Sequence, residues 1–416
     1  MTATATVIVP AALSAADTLA GSLVDPASIW PDGRPEGWQA WPQSLAGGAS
    51  GIALLHVERA RTGYGDWDTA HNWLAEAVRG EISAASNANL YFGVPALAFV
   101  THRAASATGR YGRVLRRLDE ATAGVTRTRL AEAHQRLDRE ERPPMEEFDL
   151  IRGLSGLGAY HLSRYGDAEI THAVLAYLVR LTEPLPDPAG LPPWWMNVGT
   201  TGALDADYPG GHGNFGLAHG IGAALAVMSQ ALLHGLDVPG LAGAVERVCE
   251  WTDQWRQGED SYPWWPGLID PEQAASGHVA PELRPRPSWC YGVSGTARAQ
   301  QLAGLALGDP VRVRAAENAI LATLRDPAQL DRLPEIGLCH GMAGLLHASW
   351  RMAAETGNAQ IAAELPRLAD RLITALDQPG RDPELLDGSA GAALALHTLG
   401  MNHAPAPHWD TFLALA

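Results

Sequence analysis

Three side chains that bind borderline metals occupy matched places in two short segments. Trp289-Cys290-Tyr291-Gly292-Val293-Ser294-Gly295 and Leu338-Cys339-His340-Gly341-Met342-Ala343-Gly344 each carry a cysteine two residues before the first glycine of a G-x-x-G element. Two thiols and an adjacent imidazole make the donor set of a catalytic zinc site, Cys2His with an open fourth position. The plainer alternative is two buried cysteines and a capping histidine, since a free thiol often packs as a small hydrophobe. The coincidence of register and ligand type favours zinc, one ion per chain. The third cysteine, Cys249, stands at helical period in Val245-Glu246-Arg247-Val248-Cys249-Glu250-Trp251 and reads as core.

Proton-transfer groups fall in the same register. His219 precedes Gly220 as His340 precedes Gly341 and Tyr291 precedes Gly292. An acid–base role is expected for His219; capping its helix is the alternative. Asp149 stands four residues before Gly153. It either orients His219 or closes a turn. Arg286 stands four residues before Cys290, in Arg284-Pro285-Arg286-Pro287-Ser288-Trp289, and taken alone reads as a surface arginine. Asp387, just before Gly388, holds the same register position, though a turn acid is the stronger reading. The pairs Trp194-Trp195 and Trp264-Trp265 flank long loops and read as loop anchors rather than stacking surfaces.

These residues need a scaffold that brings distant turns together, and the chain repeats the same turn seven times. The copies start at Gly48, Gly93, Gly153, Gly220, Gly292, Gly341 and Gly388, at spacings of 45, 60, 67, 72, 49 and 47 residues. Each runs into an apolar stretch, such as Ile52-Ala53-Leu54-Leu55. Between copies lie amphipathic segments at helical period, over roughly 66–80, 241–257, 311–325 and 361–378. Another follows Asp167, where Ile170, Val174, Leu175, Tyr177, Leu178 and Leu181 point one way. A repeat reads as outer helix, loop, Gly-rich turn, inner helix. One helix pair cannot bury its own apolar face and must stack on neighbours. The expected architecture is all-α, a closed ring in a single domain over 1–416, with a charged helical insertion near 101–148. If every inner helix starts at such a turn, seven helix N-termini meet at one end, each with free N–H groups and partial positive charge. That place favours thiolates, carboxylates and an enolate.

Composition narrows the function. The net charge is −16 and all 30 basic residues are arginine. The absence of lysine reflects a GC-rich coding genome rather than chemistry. Acidic balance argues against nucleic-acid or anionic-membrane binding. The apolar N-terminus lacks a basic n-region, and Ser14-Ala15-Ala16-Asp17 reads as a helix start rather than part of a signal peptide. No run of 18 apolar residues is present, so no membrane span is expected. Three cysteines, two of them placed on a metal, make no disulfide framework. A cytoplasmic protein is expected.

With G-L-A-H-G, W-C-Y-G and C-H-G in that order among seven Gly-rich turns, the chain resembles the lanthionine synthetase C-like family, the cyclases of class I lanthipeptide biosynthesis. The resemblance covers nearly the whole chain. It implies an α/α toroid of seven inner and seven outer helices, with zinc at one end of the central cavity. It places the zinc ligands on Cys290, Cys339 and His340 and the active-site histidine on His219. It also places the family's aspartate on Asp149, its arginine on Arg286, with Arg284 close by, and its tyrosine on Tyr291. The fourth turn reads G-I-G-A and the second ends in Ala96, departures that touch no ligand.

The implied reaction is addition of a cysteine thiol to dehydroalanine or dehydrobutyrine within a dehydrated precursor peptide, leader plus core. A lanthipeptide dehydratase and an exporter are the implied partners. The arginine-rich stretch Arg110 to Arg142 reads as a solvated helix, or as a contact for the leader or the dehydratase. Competing readings are zinc-dependent addition of glutathione to dehydroamino acids, prenyl transfer, and a zinc-containing peptide-binding scaffold. A carbohydrate hydrolase would account for the tryptophans but not for the thiols.

Overall fold

The computed structural model describes residues 10–29, 41–187, 189–197, 208–377, 382–401 and 409–416. Fourteen helices of eleven residues or more dominate them. Seven are inner helices, each opened by one of the Gly turns: Ala49–Arg61, Val94–Thr108, Leu154–Tyr165, Ile221–Leu233, Val293–Leu307, Met342–Thr356 and Ser389–Met401. These bury most of their residues; in Ala49–Arg61 only Arg61 is not buried. The outer helices are Pro10–Ser22, Trp67–Ala77, Gly112–Asp138, Glu169–Leu181, Leu241–Gln254, Pro310–Arg325 and Ala359–Ala375. They are amphipathic: Glu169–Leu181 buries Val174, Leu175, Tyr177, Leu178 and Leu181 and leaves Glu169 and Ala176 exposed. The only strands among the described residues are Gly213–Asn214 and Leu268–Ile269, paired antiparallel with Gly213 opposite Ile269.

The pairing phase differs from the sequence expectation. Five outer helices pack on the inner helix that precedes them, as Trp67–Ala77 does on Ala49–Arg61 and Pro310–Arg325 on Val293–Leu307. The reason is connection length. Two residues, Gly308-Asp309 or Gly357-Asn358, join inner to outer, and Gly308 and Gly357 supply the left-handed cap, with φ of 65° and 69°. Long loops lie instead between an outer helix and the next Gly turn. The last inner helix, Ser389–Met401, takes its outer partner from the start of the chain, Pro10–Ser22. Ser14 lies inside that helix rather than at its start.

The chain divides into two compact units. In one, Met1–Val125 with Leu330–Trp409, the turns are linked by backbone bonds. Leu45 N–H donates to Tyr91, Leu385 and Leu386 N–H to Ala46, and Leu338 and Cys339 N–H to Leu386, at 2.7 to 3.0 Å. In the other, Thr126–Gln329 with Asp410–Ala416, Leu150 N–H donates to Ala218 and Ala218 N–H to Cys290, at 3.1 and 3.2 Å. Residues 101–148 contain the end of an inner helix, then Gly112–Asp138 in the place of an outer helix, then a short turn. Within the second unit, Thr126 Oγ1 meets His161 Nε2 at 2.9 Å and Arg136 is forked onto Glu147. No described helix is long and apolar enough to cross a membrane.

Glycine at the turns serves close approach more than unusual dihedrals. Gly292 and Gly341 have ordinary extended backbones, with φ of −104° and −114°. A Cβ on Gly292 would stand 2.0 Å from the Arg286 carbonyl oxygen, and one on Gly341 would stand 2.3 Å from Gly337 N. Only the second turn, at Gly93, uses a positive φ, 76°.

Two buried histidines set an acid limit. Burial pushes His56 and His397 from the ordinary 6.5 down to about 4. Both are neutral in the fold; His56 Nε2–H donates to the Leu23 carbonyl at 2.8 Å. Because the unfolded chain binds these protons first, stability is full above pH ~6.5 and falls as pH drops towards ~4. Between pH 7 and 5 each should cost about 1–2 kcal/mol. Urea midpoints at the two pH values check this, and the double variant His56→Gln/His397→Gln should flatten the difference.

Candidate metal centre and proton-transfer site

Cys290, Cys339 and His340 form a group that can hold a metal ion. One ligand atom from each, Sγ or a ring nitrogen, lies within 4.8 Å of the others. Tetrahedral zinc with Zn–S near ~2.3 Å and Zn–N near ~2.0 Å fits donors at such separations. Cys290 is buried and its Sγ lies 3.4 Å from Ser288 Oγ; Cys339 and His340 are half-buried. The turn before Cys290 is fixed from within, because the buried Trp289 indole N–H donates to the Leu413 carbonyl at 3.0 Å. Cys249 takes no part. It is buried in Leu241–Gln254, and burial pushes its thiol up to about 12.

His219 and Asp149 come together although 70 residues separate them. His219 Nδ1 lies 2.6 Å from Asp149 Oδ2. A carboxylate oxygen only accepts, so Nδ1 carries the proton and Nε2 is the exchangeable atom. The other Asp149 oxygen accepts the N–H groups of Arg152 and Gly153, at 2.6 and 2.7 Å. Asp149 is therefore both the turn acid and the partner of His219. It is fully buried, while His219 is one-fifth exposed. Tyr291 lies beside the imidazole, with ring centroids 6.3 Å apart and planes at 30°. The backbone bond from Ala218 to Cys290 holds these two turns in step.

Arg286 is half-buried, and its carbonyl packs against Gly292 at the head of the turn. Arg284 has different work: its guanidinium lies 4.1 Å from the Tyr262 ring centroid and 6.0 Å from that of Trp264. Both tryptophan pairs are buried; Trp194 meets Trp251 edge-on at 5.5 Å, and the Trp195 indole N–H donates to Gly210.

One residue at this site escaped the sequence reading, and another has a role there beyond that of a turn acid. Arg129, one of the arginines of the charged stretch, is half-buried. Burial lowers its pKa, and the negative charge of Asp149 works against that shift. It also donates to the Arg152 carbonyl. Asp387 places Oδ1 3.3 Å from His340 Nδ1. Its position before Gly388 was the available signal.

Comparison with known proteins fits this arrangement. A solved structure of nisin cyclase matches with a TM-score of 0.78 at 18% identity, over 95% of this chain and 96% of that one. The fold is an α/α toroid. The family model described as lanthionine synthetase C-like protein matches residues 39–413, and the chain belongs to that family. The nisin biosynthesis protein NisC of Lactococcus lactis subsp. lactis is 25% identical over 211 residues, 49% of this chain. The matched part spans about half of that curated relative, 48% of its length.

Proposed function

We propose that this protein is a zinc-dependent lanthipeptide cyclase. It adds a cysteine thiol of a dehydrated precursor peptide to a dehydroalanine or dehydrobutyrine of the same peptide. The S–H bond and the Cα=Cβ π bond break while S–Cβ and Cα–H bonds form, so a thioether ring closes without change of mass. The observation that carries the reading is the Cys290, Cys339 and His340 donor set in a chain that also pairs His219 with Asp149. Bound there, one zinc per chain would shift an incoming thiol to its thiolate, only a few per cent of which is present at pH 7 for a free pKa near ~8.5.

The chain's own residues supply the rest. Asp149 holds the His219 ring so that Nε2 takes the thiol proton or delivers one to Cα. Tyr291 restrains the ring on its other side. Attack at Cβ moves negative charge to the adjacent carbonyl oxygen, and Arg286 is the cation assigned to it. Incubation with a dehydrated, cysteine-containing peptide, followed by thiol alkylation and mass spectrometry, tests the reading. The expected result is loss of alkylatable thiol at constant mass. A thiol count that stays at its starting value, or turnover only when glutathione is supplied, overturns it.

The proposal extends to a cytoplasmic setting, to a dehydratase and an exporter as partners, and to the arginines of the long outer helix. Arg136 and Arg142 are bound to Glu147 and Asp187, and Arg129 is half-buried and feels the charge of Asp149. Arg113, Arg116, Arg117 and Arg127 are exposed. Changing those four to glutamine is expected to weaken binding of the leader or the dehydratase about tenfold or more, as loss of several charge contacts does. Unchanged affinity for both in a pull-down and titration would make the stretch a solvated helix only.

A further inference from the structure

We infer that Asp387 is a positioning residue for the metal centre: it fixes the tautomer and orientation of His340. The inference rests on the zinc reading above. His340 Nδ1 lies 3.3 Å from Asp387 Oδ1, with side-chain exposures of 32% and 39%. A histidine ligates a metal through an unprotonated ring nitrogen. An anion at Nδ1 keeps the ring proton there and leaves Nε2 for the metal.

The fold holds this acid in place from three sides. Leu338 N–H and Cys339 N–H both donate to the Leu386 carbonyl, at 2.7 and 2.9 Å. The backbone just before Asp387 is thus clamped to the backbone of one metal ligand and lies next to the other. Gly337 lets the two turns meet: a Cβ there would stand 2.6 Å from Asp387 Cα. Gly391 does the same from the following helix, where a Cβ would stand 2.9 Å from Leu338 Cδ1. The arrangement repeats one seen elsewhere in the chain. The third turn offers Asp149 to the imidazole of the fourth, and the seventh turn offers Asp387 to the imidazole of the sixth. In both pairs Nδ1 faces the carboxylate, and a backbone bond ties the two turns. The scaffold therefore makes two histidine–aspartate pairs for two tasks, proton exchange at His219 and metal ligation at His340.

Competition for zinc between the purified protein and a chromophoric chelator tests this, with no need for the reaction. Asp387→Asn and Asp387→Ala are expected to bind zinc about 10–100-fold more weakly, the usual loss when the outer partner of a ligating histidine is removed. Asp149→Asn, which acts on the other imidazole, is expected to match the wild type. Cobalt-substituted Asp387→Ala should show shifted ligand-field bands. Circular dichroism of the zinc-free proteins separates this from unfolding, since the Asn variant preserves side-chain volume. Asp387→Ala with wild-type zinc affinity and unshifted cobalt bands would reduce Asp387 to a turn residue and leave the cyclase reading standing. A wild-type protein that binds no zinc would overturn both.

Discussion

His219→Ala is expected to keep its zinc and lose cyclisation by about 10²–10⁴-fold, the range that a general acid–base group contributes. The two functions separate because the metal donors and the proton-transfer group are different side chains. Cys290, Cys339 and His340 make the metal group, whereas His219 is engaged by Asp149 at 2.6 Å. Asp149→Asn should fall in the same direction, because the imidazole loses the anion that holds its proton at Nδ1. A cobalt-substituted His219→Ala protein should still develop a thiolate-to-metal band when the dehydrated peptide is added. Rates come from single-turnover alkylation assays. Wild-type cyclisation in His219→Ala would make His219 a helix cap. Loss of metal would make it a fourth ligand and close the open position.

Cys290→Ala and Cys339→Ala are expected to abolish both zinc and activity, while Cys249→Ala keeps both. With one thiolate removed, two donors remain, fewer than the three protein ligands a catalytic zinc site requires. Cys249 serves as the internal control for thiol content, since its burial and a pKa near 12 keep it unreactive at neutral pH. Metal analysis by atomic emission on the three proteins, alongside alkylation of the peptide product, reads out both properties. Full zinc occupancy in Cys339→Ala would remove it from the ligand set.

Glycine placement and apolar period made the seven inner helices legible, since each turn needs a residue without a Cβ where backbones cross. The helical period likewise located outer helices such as Leu241–Gln254 and Pro310–Arg325. The donor set was legible because its members share one register. Partners across the fold were not. Asp387 and His340 lie in different repeats, and only the bonds from Leu338 and Cys339 to Leu386 show that their turns are neighbours. Arg129 sits in a run of alternating charge, where nothing in the spacing distinguishes its half-buried guanidinium from the exposed ones of Arg113 and Arg117. The phase of helix pairing is hidden in the sequence for a related reason. Periodicity locates helices, but the length of the link decides which two form a hairpin.

Two contacts that join remote parts of the chain bear on how the protein is made. Pro10–Ser22 has its inner partner in Ser389–Met401, so Ala12, Ala16, Leu19 and Ala20 are translated hundreds of residues before the surface that covers them. The carbonyls of Leu413, Ala414 and Leu415 are held by Trp289, Gln230 and Arg298, and Trp289 precedes its acceptor by 124 residues. Until that segment emerges from the ribosome, the Trp289 indole behind Cys290 lacks its native acceptor. Contacts of such long range fold slowly. Completion of the support behind Cys290 is thus tied to late synthesis, and a nascent chain stalled before Ser389 would display its N-terminal helix to chaperones.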